Sequence, residues 1–151
     1  MAELKDRLRQ DMSAAMKARD ELTLATLRMA LSAITTEEVS GQAARELSDD
    51  EVQGVLRRES KKRREAAEAF GAAGRAESAT RERAEGEVLA RYLPAQLDNA
   101  ELTELVRRGI AEAGAISPAD MGKVMRSVQP LVAGRTDGAR GAAEVRRQLG
   151  G

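Results

Sequence analysis

Neither cysteine nor histidine occurs among the 151 residues. Lack of Cys excludes disulfides and thiolate metal sites. Lack of His removes the commonest general base and the commonest transition-metal ligand. Tryptophan is absent as well, and Phe70 and Tyr92 are the only rings. Stacking on nucleic-acid bases therefore has almost nothing to work with. Charge of one sign is not in excess, since 25 Lys and Arg balance 25 Asp and Glu. Zero net charge argues against strong non-specific binding to nucleic acid but leaves room for a local basic face. No apolar run approaches the ~18 residues that a membrane-spanning helix needs. The start, Met1-Ala2-Glu3-Leu4-Lys5, carries charge at once and has no apolar signal region. A cytoplasmic chain without a membrane partner is expected.

What is present forms helices. Hydrophobic residues make up 42% of the chain but aromatics only 1%, so Leu, Val, Ile, Met and Ala must fill the core. Ala, Leu, Glu, Arg and Gln are good helix formers, and strand-favouring residues are sparse. The expected fold is all-α.

Apolar residues at steps of four, Leu4, Leu8, Met12 and Met16, predict a first helix ending near Arg19. Asp20 can cap a second, whose stripe Leu24, Leu27, Leu31 and Ile34 is widened by Leu22, Ala25 and Met29. So wide a face suits a central helix. Ser48-Asp49-Asp50-Glu51 reads as a capping box opening a third helix, which Gly71 and Gly74 end. A fourth is expected from about Glu77 to Leu93. Pro94-Ala95-Gln96-Leu97 breaks the pattern and places a domain boundary there, giving residues 1–93 and 94–151. Asp98 to Glu101 is a second capping box, and Gly114 a C-terminal stop. Ser117-Pro118 opens the next helix, which Pro130 bends or ends, and Asp137 caps the last. Four longer helices, a hinge and three short ones are expected. Gly122 stands inside a helix, where Gly costs ~1 kcal/mol relative to Ala. Either a neighbouring helix or a ligand is expected to come close to it; Gly109 invites the helix reading too.

The search for chemistry finds no catalytic constellation. There is no His–Ser or His–Cys pair and no metal-binding spacing, so no cofactor and no metal are expected. Gly122-Lys123 is followed by Val124, and the preceding Gly of a phosphate-binding loop is missing. Two basic features remain. Arg57, Arg58, Lys61, Lys62, Arg63 and Arg64 wrap much of the third helix, with Glu59, Glu65 and Glu68 neutralising part of the run. This reads as a solvated, salt-bridged helix, with a phosphate- or RNA-contacting face as the alternative. The second is Lys123, Arg126, Arg135, Arg140, Arg146 and Arg147, with fewer acids around it. Exposed helix-start amides with nearby Arg attract phosphate, although Asp137 can occupy that start as a cap. Without rings in this half, RNA recognition would rest on backbone and shape.

Several pieces of the chain together resemble the YqeY-like family (GatB/YqeY). They are Asp11-Met12-x-x-Ala15-Met16-Lys17, Leu27-Arg28-Met29 and Arg58-Glu59-x-Lys61-x-Arg63. Tyr92-Leu93-Pro94-x-Gln96-Leu97 follows, then Asp120-Met121-Gly122-Lys123-Val124-Met125 and Gly134-Arg135-x-Asp137-Gly138. The resemblance implies a four-helix N-terminal domain and a small three-helix C-terminal domain similar to the tail of the B subunit of the tRNA-dependent amidotransferase. In that enzyme the tail contacts tRNA and amide transfer occurs elsewhere. The implied function is a non-catalytic binding module, docking tRNA or a tRNA-handling enzyme through the C-terminal part. Two alternatives stand beside it. One is an accessory component of glutamine-dependent tRNA amidation, a carbon–nitrogen ligase reaction with glutamine as amido-N-donor, working with amidotransferase proteins. The other is a protein–protein adaptor.

Overall fold

The computed structural model describes residues 2–150. All regular structure among them is helical: α1 (Glu3–Lys17), α2 (Glu21–Glu38), α3 (Asp49–Ala72), α4 (Ala76–Ala90), α5 (Asn99–Ala113), α6 (Met121–Val132) and α7 (Gly138–Gln148), with a 3₁₀ turn at Pro118–Asp120. Contacts divide the chain into two units, one ending at Leu93 and the other beginning at Pro94.

In the first unit α2 touches α1, α3 and α4. Leu27, Ala30 and Ile34 are fully buried, joined by Leu8, Val52, Leu56, Val88 and Leu89 from the surrounding helices. Thr26 is buried with them because its hydroxyl donates to the Leu22 carbonyl at 2.8 Å, leaving no polar atom unsatisfied. Asp20 caps α2 by accepting from the Thr23 amide at 3.1 Å and the Thr23 hydroxyl at 2.7 Å. The Ser48 box is closed in both directions at the start of α3. α1 ends in a Schellman motif, with the Asp20 amide donating to the Ala15 carbonyl. Arg19 takes the left-handed position there, at φ 56°.

α3 and α4 pair closely, and an ionic cluster lies between them. The Arg63 guanidinium lies 3.5 Å from Glu82 and Glu85 and 3.7 Å from Glu59. Glu59 and Glu85 are buried. Lys62 and Arg81 satisfy their outer oxygens at 2.9 and 3.1 Å. Buried carboxylates are tolerable only when paired in this way.

α4 stops at Ala90, three residues short of the expected Leu93. The amides of Arg91, Tyr92 and Leu93 bond three residues back instead of four. Pro94 disfavours α conformation in the residue before it, so the helix tightens and ends.

In the second unit α5 packs on both α6 and α7. Val106, Val124, Val128 and Val145 form the core, with Leu97 and Leu102. The Asp98–Glu101 box opens α5, and Gly114 closes it in left-handed conformation at φ 65°. Gly109 is a genuine close approach: an added Cβ would overlap Val128 Cγ2 and lie 3.5 Å from Val128 Cα. Gly122 is different. It is exposed, with no atom within 4 Å of where a Cβ would stand, so no neighbouring helix accounts for it. Pro130 neither ends nor breaks α6, which continues to Val132. It lies in the last turn, where the helix needs few further bonds.

Candidate nucleic-acid interface

The first residues of the second unit are tied to the rest of it by side chains that the sequence presents as phosphate ligands. Leu97 is 2% exposed and belongs to the second core. Its amide donates to the Arg135 carbonyl at 2.8 Å, and its carbonyl accepts from the Arg140 guanidinium at 2.6 Å. Arg140 also donates to Asn99 Oδ1 at 2.8 Å. Arg135 Nε donates to the Ala95 carbonyl at 2.9 Å, and its other arm lies 3.5 Å from Glu101. Asp137 caps α7 through the Arg140 amide at 2.9 Å, with Gly138 exposed as the first helical residue. Tyr92-Leu93-Pro94-x-Gln96-Leu97 and Gly134-Arg135-x-Asp137-Gly138 are thus partly one lock: the second stretch holds Ala95 and Leu97 of the first. Gln96 and Pro94 stay exposed.

Arg147 is also engaged. Both its arms reach Glu144, at 2.8 and 2.7 Å. This bidentate partner, with Gln148 beside it, holds the Glu144 carboxyl far below the usual carboxylate range, at about 2. Three of the six cations remain open. Lys123, Arg126 and Arg146 are exposed and make no hydrogen bond or ion pair among the described residues. Lys123 lies in the field of Asp120, whose carboxyl is lowered first by the Ile116 amide. Arg108 on α5 is exposed as well and was not singled out by spacing; the adjacent Arg107-Arg108 pair on the polar side of α5 was the available signal.

The basic run of α3 is largely neutralised. Besides Arg63 and Lys62, Arg58 lies 3.6 Å from Glu37 and Lys61 3.9 Å from Glu65. Arg57 is half-buried. Arg64 is exposed and lines a cavity of about 440 Å³ between α3 and α4 with Ser60, Ala67, Glu68 and Gly86.

Tyr92 is anchored inside the first unit. Its hydroxyl donates to Asp11, and the Arg7 guanidinium stands 4.7 Å above its ring. Burial, then the Asp11 bond and charge, push the phenol well above its ordinary value. Met121 is half-buried against the second core, so its role is packing.

A family model described as Yqey-like protein matches residues 5–149. The chain belongs to the YqeY-like family. No curated protein matches it. Within this YqeY-like chain no group of three or more metal-capable side chains occurs among the described residues, and no described helix is long and apolar enough to cross a membrane.

Proposed function

We propose that this YqeY-like protein is a non-catalytic binding module that docks tRNA, or an enzyme carrying tRNA, through residues 94–151. The observation supporting this reading is the set of cations with unspent donors. Lys123 and Arg126 on α6 and Arg146 on α7 face water without a protein acceptor, so each can meet a phosphate without first breaking an internal bond. Arg135 and Arg140 act at one remove in this reading: they hold the loop and the start of α7 in place. Residues 94–151 are the domain that carries the contact, and the location is the cytoplasm.

The test is tRNA binding by the full chain across a salt series. Arg126→Glu combined with Arg146→Glu should weaken binding at least ~10-fold and shallow the slope of log K against log salt by about 1–2, as lost phosphate contacts require. Lys61→Glu, on the neutralised helix, should change little. No saturable binding of any tRNA at low salt removes the reading.

A further inference from the structure

We propose that the outer part of the α3–α4 hairpin, residues 60–86, is an arm that opens by itself while the rest of the first unit stays folded, with Arg63 as its latch. The apolar core of that unit takes Val52, Val55 and Leu56 from α3, and Val88 and Leu89 from α4; none of the described residues 57–87 is among its members. α3 nevertheless runs on for 16 residues past Leu56, about 24 Å, before the chain turns and returns along α4. Within 57–87 the buried residues are Glu59, Ala67, Ala79 and Glu85, two carboxylates and two alanines. Each alanine buries one methyl group, so the apolar hold on this stretch is small. Phe70, its one ring, is half-buried near the turn, with the Arg75 guanidinium 5.1 Å from its centre. Along one side the two helices leave an open crease, where Ser60, Ala67, Gly86 and Ala90 stand among charged residues.

Arg63 stands about two turns beyond Leu56, where the helices come close: a Cβ added at Gly86 would lie 3.8 Å from Arg63 Cβ. From α3 it reaches across to Glu82 and Glu85 of α4, each at 3.5 Å. Such a fastening can release. Ions that leave a buried pair together regain their hydration, whereas apolar surface leaving a core gains nothing from water. Separation of the two helices delivers Glu59, Arg63, Glu82 and Glu85 to solvent and uncovers no large apolar patch that would invite aggregation. The stretches beyond the latch, 64–72 on α3 and 76–82 on α4, are too short to persist as isolated helices. Opening therefore melts them and bares their amides, while α1, α2 and the base of the hairpin keep their packing.

Hydrogen exchange of the full chain, resolved by peptide with mass spectrometry, tests the arm. Amides 64–72 and 80–86 should exchange at least ~10-fold faster than amides 27–34 of α2, after correction for intrinsic rates. Low urea should speed them less than it speeds α2, because opening the arm exposes less surface than unfolding the unit. Ile34→Val, in the core, should speed the α2 amides ~3–10-fold and leave the arm within ~2-fold. Arg63→Met should speed the arm at least ~30-fold, and Lys61→Met should leave it within ~3-fold. If arm and α2 share one rate and one urea dependence, or respond alike to Ile34→Val, the proposal is overturned. An arm indifferent to Arg63→Met overturns the latch. The result is independent of the tRNA reading, because no RNA is present and every variant lies outside residues 94–151.

Discussion

The Tyr92 hydroxyl donates to Asp11 Oδ2 at 2.5 Å, joining the turn after α4 to the middle of α1 across 81 positions of sequence. Tyr92→Phe keeps the ring beneath Arg7 and removes only this donor. A bond to a charged acceptor contributes ~1.5–3 kcal/mol, and the partly exposed Asp11 recovers some of that from water, so a loss of ~1 kcal/mol is expected. Urea denaturation followed by circular dichroism checks it; an unchanged midpoint means that water replaces the bond fully.

Arg63 is the common partner of three carboxylates, so its removal should outweigh that of any other cation on α3. Arg63→Met leaves Glu59 and Glu85 buried without their shared counter-charge. Breaking a buried ion pair costs ~3–5 kcal/mol, and the 19% exposure of Arg63 lowers the expectation to ~2–4 kcal/mol. Lys61→Met, in an exposed pair, should stay within ~0.5 kcal/mol. Comparing the two unfolding midpoints decides the matter, since similar values contradict a special role for Arg63.

The two glycines of the second unit should respond in opposite directions to alanine. Gly109→Ala drives a methyl into Val128 and should cost ~1–3 kcal/mol, with Val128→Ala in the same chain recovering part of it. Gly122→Ala meets open space and should stabilise α6 by up to ~1 kcal/mol. Thermal melts of the single and double variants separate these outcomes. Destabilisation by Gly122→Ala would mean that α6 has a neighbour in solution.

Glu144 and Glu51 make stability fall in acid. Each carboxyl is lowered from 4.5 to about 2, chiefly by its arginine partner, Arg147 or Arg45. As pH drops from ~4.5 the unfolded chain takes up these protons first, so their contribution is full above ~4.5 and is lost as pH falls through about 2. Glu144→Gln should flatten the dependence of the unfolding midpoint on pH across that window. An unaltered profile between pH 4.5 and 2 would show that the Arg147 pair does not hold the proton off in solution.

Local signals in the sequence proved readable. The Ser48–Glu51 and Asp98–Glu101 boxes form as expected because each closes within three residues. The all-helical class followed from composition, and α2 has the several neighbours that its wide apolar face required. The fates of Arg135 and Arg140 were not legible. Their acceptors, the carbonyls of Ala95 and Leu97, lie 40 and 43 positions away, and a backbone carbonyl leaves no mark in a residue pattern. The same limit explains the glycines. Gly109 and Gly122 look alike in the sequence, and only the packing of Val128 distinguishes them. The early end of α4 was readable in principle, since Pro94 restrains Leu93.

One tyrosine, no tryptophan and a spectrally faint phenylalanine give this protein a single near-ultraviolet chromophore. It is Tyr92, buried in the first core and bonded to a carboxylate. Intrinsic absorbance and emission therefore watch the α1–α4 helices alone. Melting of α5 to α7 passes unseen at those wavelengths, so a label or an amide-based signal is needed to follow the half that carries the open cations.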